Sequence, residues 1–214
     1  ASLRKSLIVS GVALAAAVIG QSASADPGDS LRWQSVIGIA APNGIVGSGT
    51  MAIGMAGVFA KAGYDVVLRA RGTEQIEKVR TAISRSLEKA VVRGKITEEE
   101  RDAALSRFSG STSFDDLADC DLFVEATVEE LSVKQAIFAT LDELAKPGAI
   151  LATTTSSLPI VDVAASTSRM ADVVGMHFFN PAPVMKLVEV VHTINTAPEV
   201  VDTIREVCEK LGKH

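Results

Sequence analysis

The residues best placed to move a proton are His177 and Glu189. His177 follows Val173-Val174-Gly175-Met176, which reads as a strand. Twelve positions on, Glu189 lies amid Leu187, Val188, Val190 and Val191. A charge inside such a run needs a partner. The loop between them holds Pro181 and Pro183 and can fold back to bring the two side chains together. A histidine held by a carboxylate is a competent general base near neutral pH. A purely structural pair is the alternative that spacing leaves open. Ser156 and Ser157 follow another strand end, where they can donate to a substrate oxygen or cap a helix. His192 and His214 have no such context and are expected to be solvated.

A second chemical signal is Gly44-Ile45-Val46-Gly47-Ser48-Gly49-Thr50-Met51-Ala52. It reads as a strand end, a tight turn and the opening of a helix. Gly47, Gly49 and Ala52 fit the dinucleotide fingerprint G-x-G-x-x-G/A. Gly47 would make the turn, Gly49 would let backbone approach a pyrophosphate, and Ala52 would let the helix pack closely on the strand. The helix N-terminus at Thr50 and Met51 would offer N–H groups to the phosphates. A merely structural glycine turn is the alternative.

These groups need a frame that gathers strand ends in one place. From Thr50 to Ala62 small and apolar residues predict a buried helix, stopped by Gly63. Asp65 to Leu68 reads as a buried parallel strand. Thr73 can cap a long helix whose apolar face is Ile76, Val79, Ile83, Leu87 and Val91. Thr97 and Glu100 predict a capping box, with Ala104, Leu105 and Phe108 on one side of the helix that follows. Further strands are predicted near Ser111 to Ser113, Asp121 to Ala126, Ala149 to Thr153, and Lys186 to Val191. Ser132 is expected to cap a helix along Val133, Ile137, Phe138, Leu141 and Leu144. A last helix is expected from about Pro198 to Leu211. This alternation predicts an α/β fold: doubly wound and Rossmann-like, a mainly parallel sheet with helices on both faces.

Composition agrees. Apolar residues are 47% and aromatics only 4%, a mix that suits a core of Val, Ile, Leu and Ala. Net charge is −5 with no long basic run, so nothing points to nucleic acid. Cys120 and Cys208 each sit in an apolar pattern and are expected to be buried free thiols; no metal site is expected.

The N-terminus is different in kind. Arg4 and Lys5, the apolar run Leu7 to Ile19, and Ala23-Ser24-Ala25 have the order of a secretory signal over residues 1–25. The apolar run is short for a membrane span. Residues 26–43 form a leader without an assignment. Val36 to Ile39 could be a strand, and Gly44-Ile45-Val46 could return beside it as a hairpin. A central strand tolerates proline poorly, so the first strand of the nucleotide domain is short or starts only after Pro42.

The segment from Gly175 through His177-Phe178-Phe179-Asn180-Pro181-Ala182-Pro183 to Glu189-Val190 resembles the signature of the L-3-hydroxyacyl-CoA dehydrogenase family, with the 3-hydroxybutyryl-CoA dehydrogenases nearest. Support comes from Gly47 to Ala52, from Glu125-Ala126, Glu129-Glu130-Leu131 and Lys134, and from Thr155-Ser156-Ser157-Leu158. The resemblance covers about residues 44–214, which would form the dinucleotide-binding domain. It implies an oxidoreductase of acyl-CoA metabolism that interconverts 3-hydroxyacyl-CoA and 3-oxoacyl-CoA with NAD(P). His177 would take the hydroxyl proton, Glu189 would orient it, and Ser156 would bond the reacting oxygen. Asn180, Glu129 and Lys134 would contact the cofactor. Ser86 and Arg93 fall where the family holds coenzyme A.

Four departures accompany the resemblance. The family's acidic residue at the end of the second strand is replaced by Ala70, between Arg69 and Arg71. An arginine can fork onto a 2′-phosphate that an acid would repel, so NADP is expected ahead of NAD. Thr154 stands where the family has Asn. Residues 1–43 do not resemble the family. At His214 the family continues into a helical domain that completes the acyl site, supplies a further Asn and makes the dimer, so this chain is expected to be weakly active. The family's cytoplasmic setting, with no membrane contact for the catalytic domain, conflicts with export by the signal-like segment. That conflict suggests a fused, misassembled or artificial N-terminus. The alternatives are a non-catalytic nucleotide-binding fragment and an exported protein whose glycine turn belongs to a hairpin.

Overall fold

The computed structural model describes residues 36–40 and 46–214, with side chains from Gly49 onward. The signal-like segment 1–25 and the rest of the leader lie outside the described residues. A seven-stranded sheet runs in the order β3-β2-β1-β4-β5-β6-β7. Its strands are β1 (Val36–Ala40), β2 (Asp65–Arg69), β3 (Phe108–Ser111), β4 (Leu122–Glu125), β5 (Ile150–Thr153), β6 (Val173–Phe178) and β7 (Val188–Val191). Strands β1 to β6 are parallel; β7 is antiparallel to β6. The helices are α1 (Val46–Lys61), α2 (Thr73–Val92), α3 (Glu98–Ser106), α4 (Leu131–Leu144), α5 (Ile160–Ala164) and α6 (Pro198–Lys210). This is the expected doubly wound Rossmann-like fold.

Every residue of β4 and β5 is buried, which requires cover on both faces. On one face Phe123 and Leu151 pack with Phe138 and Leu141 of α4 and Val163 of α5. On the other, the ring of Phe59 in α1 lies 6.3 Å from that of Phe178 in β6. Lys210 of α6 sits 4.0 Å over the Tyr64 ring at the end of α1.

Two sequence expectations are corrected near the glycine stretch. The first strand lies before Pro42, inside the leader, and pairs in parallel with both β2 and β4. A strand in that central position cannot continue through proline. The sheet therefore begins at Val36, in line with the short-strand alternative, rather than after Pro42. Val46 opens α1 instead of a hairpin strand, so Gly47 and Gly49 fall in the helix's first turn. The connection lies at residues 41–45, outside the described residues.

Smaller shifts have local causes. β3 comes earlier than expected, and Phe108 is a buried strand residue rather than part of the preceding helix. α2 has Gly72 at its N-cap without a side-chain cap, and α4 has Glu130 there, so Thr73 and Ser132 lie inside their helices. The capping box of Thr97 and Glu100 forms as expected. Both cysteines are free and buried. Burial, aided by Asp121, pushes the Cys120 thiol up to about 12.

Candidate active site

The parallel strands deliver their C-terminal ends to one edge of the sheet. Glu125, Thr153 and Gly175 are in register across β4, β5 and β6, and His177 follows two residues later. Antiparallel pairing sets His177 directly opposite Glu189 of β7. His177 Nδ1 is 2.7 Å from Glu189 Oε2, and Nε2 is 3.1 Å from Ser156 Oγ. The carboxylate only accepts, so Nδ1 carries a hydrogen, and in the neutral ring Nε2 offers its lone pair to the serine side. The His177 side chain is 20% exposed and that of Glu189 51%. The pair is thus open to solvent at the crevice rather than sealed in the apolar run that surrounds Glu189 in sequence. His192 and His214 are exposed, as expected.

Ser156 does not cap a helix. Pro159 is the N-cap of α5, with no side-chain cap. The loop from Thr154 to Ser157 is held instead by Glu129. One carboxylate oxygen of Glu129 accepts from Thr155 Oγ1 at 2.6 Å, Ser156 N at 2.8 Å and Ser157 N at 3.0 Å. Burial opposes ionisation of Glu129, but these hydrogen bonds and the nearby Lys134 charge outweigh it and lower its pKa.

Lys134 lies on the inner face of α4, beneath the strand ends. Its side chain is fully buried, with Nζ 2.9 and 3.1 Å from the two oxygens of Glu125 and 3.6 Å from Glu129. An ammonium on the inner face of α4 must find carboxylates there, since burying it unpaired would be prohibitive. Glu125, itself fully buried, also accepts from Thr153 Oγ1 at 2.8 Å and from Thr127 N and Oγ1.

The strand order reverses between β1 and β4, where such sheets usually bind their ligands. A Cβ on Gly49 would meet nothing within 4 Å, so backbone there is open to approach. Ala52 is buried, Met51 partly buried and Thr50 exposed. At the end of β2, Arg69 lies over the Phe114 ring at 4.2 Å, and its Nε is buried without a hydrogen-bond partner. Burial and the neighbouring Arg71 charge lower the Arg69 pKa. Arg71 is exposed and Ala70 buried. The open backbone at Gly49 and the exposed guanidinium-bearing residue Arg71 just past β2 fit the anionic groups of a dinucleotide.

Asn180 is exposed just past β6, before a cis peptide to Pro181. The turn after it is anchored by a residue the sequence did not mark. Lys213, 7% exposed, donates to the carbonyls of Ala182 at 2.6 Å and Met185 at 2.7 Å. His214 N donates to Lys186 O and its carbonyl accepts from Val188 N. Ala182 and Pro183 in turn abut α1, where a Cβ on Gly54 would lie 3.2 and 3.1 Å from them. Ser86 and Arg93 lie exposed on and just beyond α2, and no contact ties them to this cluster. No group of residues that could hold a metal occurs among the described residues.

The fold and these strand-end residues define a Rossmann-type dinucleotide-binding domain with a histidine–carboxylate pair at its mouth. Residues 43–214 match the family described as 3-hydroxyacyl-CoA dehydrogenase, NAD binding domain, and the chain belongs to that family. It is 43% identical over 169 residues to a 3-hydroxybutyryl-CoA dehydrogenase of Clostridioides difficile, covering 79% of this chain and 60% of that protein. It is 47% identical over 154 residues to a 3-hydroxybutyryl-CoA dehydrogenase of Mycobacterium tuberculosis, covering 72% of this chain and 54% of that one. The crystal structure of an Escherichia coli 3-hydroxybutyryl-CoA dehydrogenase superposes with a TM-score of 0.79 at 40% identity, over 84% of this chain and 37% of that chain. The chain thus spans about 60% or less of the length of these relatives.

Proposed function

We propose that this chain is the nucleotide-binding part of an enzyme that interconverts a 3-hydroxyacyl-CoA and its 3-oxoacyl-CoA, with a four-carbon acyl group as the first candidate. The observation that carries it is the chain of contacts Glu189–His177–Ser156 at the edge of a dinucleotide-type crevice. When bound, a nicotinamide cofactor supplies the hydride acceptor. His177 Nε2 accepts the proton of the 3-hydroxyl as the C3–H bond gives up its electron pair and the carbonyl forms. Glu189 holds the ring through Nδ1–H and stabilises the imidazolium that results. Ser156 Oγ, already at Nε2, donates to the substrate oxygen and fixes it beside the base. Ser86 and Arg93 are proposed to meet the coenzyme A moiety, and Asn180 and Glu129 the nicotinamide end.

The cofactor reading is NADP ahead of NAD. It rests on Arg69 and Arg71 flanking Ala70 at the end of β2, with Arg71 exposed. The acyl-CoA substrate rests on the names of the relatives, and dimerisation through a further domain on the family resemblance alone.

The test has two stages. NADPH and NADH are titrated into the chain by fluorescence, and binding of at least one is expected. The chain is then joined to the remainder of the Clostridioides difficile relative and assayed for acetoacetyl-CoA-dependent oxidation of the reduced cofactor. Turnover by the joined protein, with little or none by the chain alone, is the expected result. Absence of dinucleotide binding would overturn the proposal.

A further inference from the structure

We infer that Glu125 is a positioning residue for Ser156, acting through Lys134 and Glu129; this rests on the functional reading above. Glu125 is the last residue of β4 and is wholly enclosed. Its two oxygens are gripped by donors from three directions: Thr153 of β5, Thr127 in the loop beyond β4, and Lys134 of α4. A carboxylate so surrounded has one orientation. The lysine that bridges both its oxygens is fixed with it.

Lys134 then reaches Glu129 Oε2 at 3.6 Å. The other oxygen of Glu129 carries the loop that bears Ser156, through Thr155, Ser156 and Ser157. The line is continuous from a rigid strand end to the hydroxyl that meets His177 Nε2. β4 and β5 are already joined by four registered residue pairs, from Leu122–Ile150 to Glu125–Thr153. Stapling those strands is therefore not what the buried ions add. What they add is the placement of Glu129, 39% exposed at the crevice, and of the loop hanging from it.

The double variant Glu125→Gln/Lys134→Met tests this. Breaking a buried ion pair leaves one charge stranded, whereas replacing both members with neutral groups is often tolerated. The full chain carrying both changes is titrated with the reduced dinucleotide and, separately, with ADP-ribose and its 2′-phosphate. Both probe types share the adenosine end, but only the dinucleotide reaches Ser156. Positioning predicts at least tenfold weaker dinucleotide binding, with the ADP-ribose probes within twofold of the unmodified chain. Equal dinucleotide affinity in variant and unmodified chain would overturn the proposal, as would parallel loss of both probe types in a folded variant.

Thr127→Val removes one side-chain donor to Glu125 at nearly the same shape and keeps the test open if the double variant does not fold. It should show the same selective loss at threefold or more, and unchanged affinity would overturn the proposal. Failure of the unmodified chain to bind dinucleotide would instead count against the functional reading.

Discussion

His177 and Glu189 face each other as a registered pair across β6 and β7, with Nδ1 and Oε2 2.7 Å apart. Residues directly opposite in an antiparallel pair lie on the same face of the sheet, with Cβ atoms about 5 Å apart. The reversal of β7 against six parallel strands therefore puts the carboxylate beside the ring with no long loop needed to carry it.

Replacement of the ring is the direct check on its role. In the protein completed with a relative's remaining domain, His177→Gln should lower kcat by ~10²–10⁴, the usual contribution of a general base. Glu189→Gln should cost less, since the base remains and only its counter-charge is lost. Full acetoacetyl-CoA-dependent activity in His177→Gln would remove the assignment.

Cofactor choice should follow Arg71 and Arg69. Arg71→Ala should weaken NADPH binding about ten- to hundredfold, the equivalent of ~1.5–3 kcal/mol for a charge-assisted contact. NADH binding should change little. Titrating both cofactors into the unmodified chain decides the matter, and a clear preference for NADH would sink the idea.

A stability prediction comes from the C-terminal end of α4. Arg169 Nε bonds Asp142 at 2.8 Å, and the guanidinium also donates to the carbonyls of Ala145 and Lys146 just past the end of α4. Asp142 further accepts from Ser168 N at 2.7 Å. Both side chains are largely buried, so Arg169→Ala should cost ~3 kcal/mol in urea unfolding. Burial raises the Asp142 pKa, but the bonds from Ser168 and Arg169 outweigh it and the net shift is downward. A depressed carboxylate contributes fully above its unfolded value, about 3.9, and loses that contribution as pH falls through the folded value. The stability gap between the native chain and Asp142→Asn should therefore be widest near neutrality and close as the solution becomes acidic. A gap that grew on acidification would contradict this.

Gly54 tests the contact between α1 and the Ala182–Pro183 turn. An added Cβ would lie 3.1 Å from Pro183 Cδ and 3.2 Å from Ala182 Cβ. The turn must then give way although Lys213 holds it, so Gly54→Ala should destabilise by about 1–3 kcal/mol, as overpacking does. Wild-type urea stability in the variant would show that the turn moves freely.

Much of this was legible in the chain itself. The strand–helix alternation predicts the fold, because buried parallel strands read as apolar runs whatever their partners. His177 and Glu189 were readable as a pair because a charge in an apolar run demands one. Lys134 was not readable as a buried ion. Its partner Glu125 ends a strand, and only the register of β4 against β5 brings Thr153 and the carboxylate together beneath α4. Lys213 gave no signal either, since its acceptors are backbone carbonyls, which carry no side-chain signature. The leader's strand was readable at Val36 to Ile39, but Pro42 left open whether it is the central first strand.

Lys213 also acts as a mechanical coupling. Its ammonium grips the turn between β6 and β7, and the next residue is hydrogen-bonded to Lys186 and Val188. A displacement of the main chain at His214 would therefore be felt first between Asn180 and Met185, and through Ala182 at the flank of α1 near Gly54.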